Sequence, residues 1–117
     1  LLKKEVVLGN AIIDMYAKCG SLERARKVAE ELPLRNIISW SALIAGYVQW
    51  GKDSAALNCF EQMKREGVSP DAVTFICILK ACGHMRVIDK GRQIHDEIVK
   101  SGFLGKDGVL GSALVDM

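Results

Sequence analysis

Four cysteines and two histidines are the side chains of this 117-residue sequence best suited to metal or redox chemistry, and their spacing argues against both. Cys19, Cys59, Cys77 and Cys82 lie 40, 18 and 5 residues apart, so no C-x-x-C pair exists to hold zinc or to cycle through a disulfide. Each reads instead as a small apolar residue on a buried helix face, and reduced thiols fit an intracellular setting. His84 and His95 are separated by a turn, with no carboxylate or cysteine placed to complete a site. Packing or surface roles are expected for them, and neither a metal nor a cofactor is implied. No nucleophile elbow and no phosphate-cradling glycine loop is present, so no catalytic constellation is read in the chain. What remains is hydrogen bonding by short polar residues at turns and helix starts, Asn10, Ser41, Asp71 and Asp107 among them. Taken alone, these have the ordinary reading of caps and solvated turn residues.

The elements that must position them are helices. From Ile37 to Asp71 the chain reads IISWSALIAGYVQWGKDSAALNCFEQMKREGVSPD, two helical stretches joined by a turn. Leu43, Ile44, Tyr47 and Trp50 form the apolar stripe of the first, and Ala56, Leu57, Phe60 and Met63 that of the second. Gly51 breaks the run between them, Asp53 or Ser54 is expected to cap the second helix, and Gly67 with Pro70 ends it. The preceding stretch repeats this plan. Ile12, Met15, Tyr16 and Cys19 make its first stripe, Gly20 the break, Ser21 the expected cap, and Ala25, Val28, Ala29 and Leu32 the second stripe before Pro33. In the following stretch Thr74 is the expected cap, with stripes at Ile78, Ala81, Cys82, Met85 and at Gly91, Ile94, His95, Ile98. Trp40 falls on an apolar stripe and is expected in the core, while Trp50 is free to do something else. The basic clusters Arg24–Arg26–Lys27 and Lys64–Arg65 read as solvated outer faces.

A shift of 31 residues superposes Ala11, Ile13, Tyr16, Gly20 and Ala25 on Ala42, Ile44, Tyr47, Gly51 and Ala56, and the third segment follows at a shift of 35. Small residues recur at Ala25, Ala56 and Gly91, where paired helices must approach most closely. GVLGSALVDM at 108–117 then matches VVLGNAIIDM at 6–15 in six of ten places. A single hairpin of this size cannot bury its own apolar face, so repetition at this period predicts an all-α fold, an α-solenoid of helix-turn-helix repeats wound as a right-handed superhelix. The units run 6–36, 37–71 and 72–107, with residues 1–5 as the tail of a preceding unit and 108–117 as the start of a further one.

Composition agrees with a packed chain. Half of the residues are hydrophobic, and 16 basic against 14 acidic residues leave a net charge of +2, too little to announce a nucleic-acid binder by itself. No apolar run approaches the roughly 20 residues that span a bilayer, so no membrane helix is expected. The chain opens at Leu1 and stops in mid-pattern at Met117, the form expected of a piece of a longer protein.

With AIIDMYAKCGSLERARKVAEELPLRN before the central unit and KACGHMRVIDKGRQIHDEIVKSGF after it, the sequence resembles the pentatricopeptide repeats. The order of unit lengths is similar to that of the plant subclass that alternates short, standard and long repeats. The resemblance runs from Val6 to Met117. It implies a protein of mitochondrion or chloroplast that binds single-stranded RNA at about one base per repeat, in a subclass whose members commonly direct cytidine-to-uridine editing.

In that family a base is read by the fifth and last residues of each repeat, which the resemblance carries onto Asn10 with Asn36, Ser41 with Asp71, Ile76 with Asp107, and Ser112 in the last, partial unit. Such residues can hydrogen-bond the Watson–Crick edge of an unstacked base. Asp71 only accepts, and guanine presents two adjacent donors, so Ser41 with Asp71 suggests guanine. Asn10 with Asn36 implies a pyrimidine with C and U poorly separated. Ile76 departs from the pattern, since it has no hydrogen-bonding group. Val7, Ile38 and Val73, second in their repeats, are implied to sandwich the bases, and Lys18 to lie against the RNA backbone, where the matching positions hold Gln49 and His84.

No H-x-E is paired with a P-C-x-x-C, so the zinc deaminase carried by some family members is not read here, and the chain is not expected to be an enzyme. The competing function is a protein-binding scaffold. Trp40, Leu43, Tyr47, Ala56, Phe60 and Pro70 also satisfy much of the tetratricopeptide pattern, but that repeat keeps a steady 34 residues while this chain steps 31, 35 and 36. A mixed reading has the long repeat, around Ile76, docking an editing-factor protein.

Overall fold

The computed structural model describes residues 2–33 and 35–103. Asp107 and the segment 108–117, Ser112 included, lie outside them. The described residues form six helices and no strand: α1 (Leu2–Lys18), α2 (Leu22–Glu31), α3 (Ile37–Gln49), α4 (Asp53–Arg65), α5 (Ala72–Met85) and α6 (Ile88–Ser101). They pair as α1/α2, α3/α4 and α5/α6, and the first helices stack in succession, α1 on α3 and α3 on α5. This is the all-α repeat solenoid that the periodicity requires. α1 is continuous from Leu2, so residues 2–5 belong to the same helix as residues 6–18.

Every pair turns by the same closure. Ser21 N–H donates to Tyr16 O at 2.9 Å and Gly20 N–H to Ala17 O at 3.1 Å. The same two bonds recur from Lys52 to Tyr47 and Gly51 to Val48, and from Val87 to Cys82 and Arg86 to Gly83. This doubled bond needs one residue in the left-handed region. Gly20 and Gly51 supply it at φ +84° and +77°, but in the third turn Arg86 takes the position at φ +57°. A residue with a Cβ is held there at a strain of about 1–2 kcal/mol.

The turn geometry also explains why the second helices are not capped as the sequence suggests. Ser21 stands at the cap position of α2 and Lys52, rather than Asp53 or Ser54, at that of α4, and neither side chain makes a capping bond. Their backbones are drawn to ψ 68° and 60° by the preceding closure. The caps that do work, Asn36 and Asp71, have extended backbones with ψ −176° and −177°, which bring the side-chain oxygen over the first amides of the helix. Thr74 is therefore not a cap but the third residue of α5.

The core is continuous through the described chain and includes Ile13, Ala17, Ala25, Trp40, Leu43, Ile44, Ala56, Phe60, Met63, Ile78, Ile94 and Ile98. Phe60, Phe75 and Phe103 meet edge to face at 6.1 and 5.9 Å. Ala25, Ala56 and Gly91 are buried, as close helix approach requires. The stripe of α1 differs from the expected one. Ile12, Met15 and Cys19 are exposed, while Ile13 and Ala17 are buried. Ile12 stands where Leu43 stands one unit later. Leu43 shares a small cavity with Arg26 and Ala29 of α2, whereas among the described residues no helix precedes α1 to cover Ile12. His95 is exposed as well, so the buried face of α6 narrows to Gly91, Ile94 and Ile98. Met85 and Trp50, at helix ends, are partly exposed.

First and second helices are held by different forces. α1 and α3 approach so closely that a Cβ on Gly46 would lie 2.7 Å from Ala17 Cβ and 3.2 Å from Leu22 Cδ2. The second helices reach one another through long side chains: Arg26 donates to Gln62 at 3.0 Å, Lys64 meets Glu97 at 3.0 Å and Lys90 meets Glu61 at 2.8 Å. Arg26 and Lys64, expected on solvated faces, thus tie neighbouring pairs together. Arg24, Lys27 and Arg65 remain exposed.

Two substitutions test this geometry with opposite signs in urea denaturation. Gly46→Ala should lower stability by about 1–3 kcal/mol through overpacking, although alanine is the better helix former by about 1 kcal/mol. Arg86→Gly should raise stability by about 1 kcal/mol, by relieving the left-handed strain. Equal midpoints for Gly46→Ala and the unaltered chain would show that α1 and α3 can separate without loss.

Candidate nucleic-acid interface

The starts of α3 and α5 carry the same polar arrangement. At α3, Asn36 Oδ1 accepts from the backbone N–H of Ile38 and of Ser39, both at 3.1 Å. Backbone amides only donate, so the oxygen of the Asn36 amide must face the helix and its nitrogen must face away. Asn10, reaching across from α1, donates through Nδ2 to Asn36 Oδ1 at 3.3 Å. The Ser39 hydroxyl donates to Asn10 Oδ1 and lies 3.2 Å from Asn36 Oδ1.

At α5, Asp71 Oδ1 accepts from Thr74 N–H at 2.9 Å and from the Thr74 hydroxyl at 2.7 Å. Ser41 Oγ of α3 lies 2.9 Å from Thr74 Oγ1. Each cluster therefore joins a residue on one first helix, the cap of the next, and a hydroxyl three residues after that cap. The structure brings Asn10 to Asn36 directly and Ser41 to Asp71 through Thr74. The bridging hydroxyls, Ser39 and Thr74, are both 0% exposed. They were not expected as site residues, though the N-x-x-S and D-x-x-T spacings that end at them are legible capping signals.

Ser41 and Asp71 are half-buried and Asn36 is exposed, while Asn10 keeps 8% of its surface. Ile76, on α5 at the position of Ser41, is half-buried and packs against the core. Its partner position, Asp107, falls outside the described residues. Val7, Ile38 and Val73, on α1, α3 and α5, are 60%, 59% and 55% exposed, large for aliphatic side chains within a helix. Lys18 is exposed and paired with Asp14 at 2.8 Å, so its charge is partly answered within α1. His84 faces Asp53 at 3.3 Å.

Trp50 has a structural role. Its indole N–H donates to Ala17 O at 2.8 Å, closing the end of the neighbouring first helix. Trp40 is buried beneath the guanidinium of Arg35, 5.4 Å from its ring centroid. Arg35 pins the chain just before the Asn36 cap. It makes a two-pronged pair with Glu66 at 3.1 and 2.7 Å and also donates to Ala29 O at 3.0 Å. The Arg35 pair holds the Glu66 carboxyl below its ordinary range, and the Lys90 bond does the same for Glu61. Burial pushes the thiols of Cys59, Cys77 and Cys82 up, whereas Cys19 is exposed rather than on a buried face. No group of three or more potential metal ligands occurs among the described residues. No described helix is long and apolar enough to cross a membrane.

Comparison with known proteins gives one consistent result. The model of the PPR repeat matches residues 10–37 and 73–103, and that of the PPR repeat family matches 35–84. A mitochondrial pentatricopeptide repeat-containing protein of Arabidopsis thaliana is 44% identical over 117 residues, covering 100% of this chain and 18% of the relative. Another pentatricopeptide repeat-containing protein of that plant is 38% identical over 115 residues, covering 98% of this chain and 23% of its own length. The chain thus spans less than a quarter of the length of these curated relatives. The crystal structure of the pentatricopeptide repeat protein PPR10 from maize matches in fold with a TM-score of 0.77 at 22% identity, covering 95% of this chain and 16% of that one.

The lowered carboxyl groups make a pH prediction. A carboxylate whose folded pKa is depressed adds stability that is complete above the unfolded value, about 4.3 for glutamate, and is lost as pH falls through the folded value. Thermal melts of Glu66→Gln should therefore lie below those of the unaltered chain at neutral pH and converge with them in acid. A gap that stays constant with pH would show that Glu66 contributes nothing through its charge.

Proposed function

The chain belongs to the pentatricopeptide repeat family, and from that premise we propose that it is part of a sequence-specific protein that binds single-stranded RNA along the face made by α1, α3 and α5. The observation that carries this reading is the recurrence, one unit apart, of a half-open polar cluster at the start of α3 and of α5, flanked by the exposed aliphatic residues Val7, Ile38 and Val73. Bases stacked between such aliphatic groups gain affinity without sequence preference, and the polar pairs then discriminate among them.

In this reading the units are 6–36, 37–71 and 72–107, with 108–117 opening a further one. Asn36 turns an amide nitrogen outward, a donor suited to the carbonyl O2 that cytosine and uracil share, which leaves those two poorly separated. Asp71 keeps Oδ2 for the N1–H and N2–H₂ donors of guanine. The strand would run 5′ to 3′ along the protein from N to C terminus and be read as a pyrimidine followed by guanine. Lys18, already paired with Asp14, adds little phosphate attraction, and Gln49 and His84 hold the matching places. Asp107 and Ser112 extend the series as candidate contacts.

We assign the whole protein to organellar RNA processing, in mitochondrion or chloroplast. Its finer role would be recognition of sites for cytidine-to-uridine editing, with the chemistry supplied by another domain or a partner. Ile76 favours one variation: an apolar side chain where a base-reading group belongs is better matched to a protein partner at the long unit than to a base edge.

The test is titration of the 117-residue chain at low salt with short RNA oligonucleotides that differ at one base. Guanine should be preferred at the second position, and Asp71→Asn should shift that preference toward adenine by about tenfold or more in the ratio of affinities, the scale of one base-edge contact. An unchanged profile removes Asp71 from the site. Peptide binding that survives high salt, with no response to RNA, would establish the scaffold reading instead.

A further inference from the structure

We propose that Thr74, and Ser39 in the unit before it, are positioning residues for base recognition. Their hydroxyls touch no base, but that of Thr74 sets the hydrogen-bonding group that Ser41 turns outward, and that of Ser39 holds the Asn10 amide against Asn36. The inference rests on the RNA-binding reading above and goes beyond it, by giving a role to two buried residues outside the pairs.

The placement of protons decides the polarity of each pair. A hydroxyl has one proton to give. The Thr74 hydroxyl lies 2.7 Å from Asp71 Oδ1, a carboxylate oxygen with none of its own, so the Thr74 proton goes there. Ser41 Oγ lies 2.9 Å from Thr74 Oγ1, and two oxygens at that distance need a proton between them. Only the proton of Ser41 is left to fill that place. Ser41 is thereby made an acceptor toward the outside, beside the outward acceptor Oδ2 of Asp71. The pair presents two acceptors, which match the two adjacent donors of guanine and oppose the donor-and-acceptor edge of adenine.

At the other cluster the same position works on an amide. The Ser39 hydroxyl donates to Asn10 Oδ1 and so orients the Asn10 amide, with Nδ2 toward Asn36 Oδ1. Asn36 is oriented in turn by two backbone amides. One register position thus fixes the outward acceptor of Ser41 in one unit and, in the other, holds the Asn10 amide against Asn36, whose outward donor is set by the two backbone amides. Burial at 0% exposure keeps water from supplying a substitute partner to either hydroxyl.

Thr74→Val removes the hydroxyl at nearly constant shape and leaves the Thr74 backbone amide to the Asp71 cap. Ser41 then recovers a proton to offer adenine N1. The ratio of guanine to adenine affinity should fall by roughly three- to tenfold, the range that one net hydrogen bond allows. Thr74→Ser should restore it. A purely structural role would weaken binding to all oligonucleotides alike, and an unchanged ratio in Thr74→Val overturns the proposal while leaving the RNA-binding reading intact. Failure of the unaltered chain to bind any oligonucleotide overturns both. A measurement without RNA decides the network itself: in NMR spectra of the free chain the Thr74 hydroxyl proton should exchange slowly and show a nuclear Overhauser contact to Ser41, and a freely exchanging proton there overturns the proposal.

Discussion

The first amides of α3 and α5 have no carbonyl within their own helices to receive them, and the residue before each helix, Asn36 or Asp71, supplies the acceptor. That requirement couples the fold to the candidate site. A cap must place one atom of its side chain over the helix, and for a planar amide or carboxylate this decides where the other atom points. Asn36, with its oxygen committed to two backbone amides, is left with a donor, and Asp71, with Oδ1 committed, is left with an acceptor. The capping that begins each first helix is therefore also what orients the polar group available to a ligand.

Stacking makes those caps into a series. α3 packs directly on both α1 and α5, and against α1 so closely that Gly46 has no room for a methyl group beside Ala17. α2, α4 and α6 are joined by side chains several bonds long, through Arg26, Lys64 and Lys90. A layer packed through small residues on one side and through long ones on the other favours curvature toward the small side, here that of the first helices. Arg35 links the two layers. It holds Glu66 of the next pair and a carbonyl at the end of α2 while covering Trp40, which fixes the chain at the residue before the Asn36 cap.

The repeat plan and the core positions were legible in the sequence wherever a residue is covered from both sides. Leu43, Ile44, Phe60, Ile78 and Ile94 sit on expected stripes and are buried. Stripe and burial part company where burial depends on a neighbour that periodicity does not reveal. Ile12 has the spacing of a core residue, yet its exposure is decided by whether another helix lies against it. The caps of the second helices were misplaced for a different reason. Ser21 and Asp53 have suitable side chains, but the backbone angle imposed by the preceding turn controls whether a cap bond forms, and that angle is not written in residue type. Arg86 illustrates the same limit, since residue type alone points to glycine at a left-handed position and the third turn does without it.

The candidate site was legible to the extent that it lies at fixed places in the repeat, and its hidden part is the hydroxyl between the paired residues. Asn10 with Asn36 and Ser41 with Asp71 were expected as independent groups facing a ligand, whereas Ser39 and Thr74 make each pair a connected network with one proton arrangement. The third unit shows why the distinction matters. Ile76 stands in the place of Ser41, and in the sequence Leu110, with no hydroxyl, stands three residues after Asp107. In the proposed reading the long unit thus lacks both the polar group and the hydroxyl that would orient it, which separates it from the first two units more deeply than the loss of one hydrogen bond.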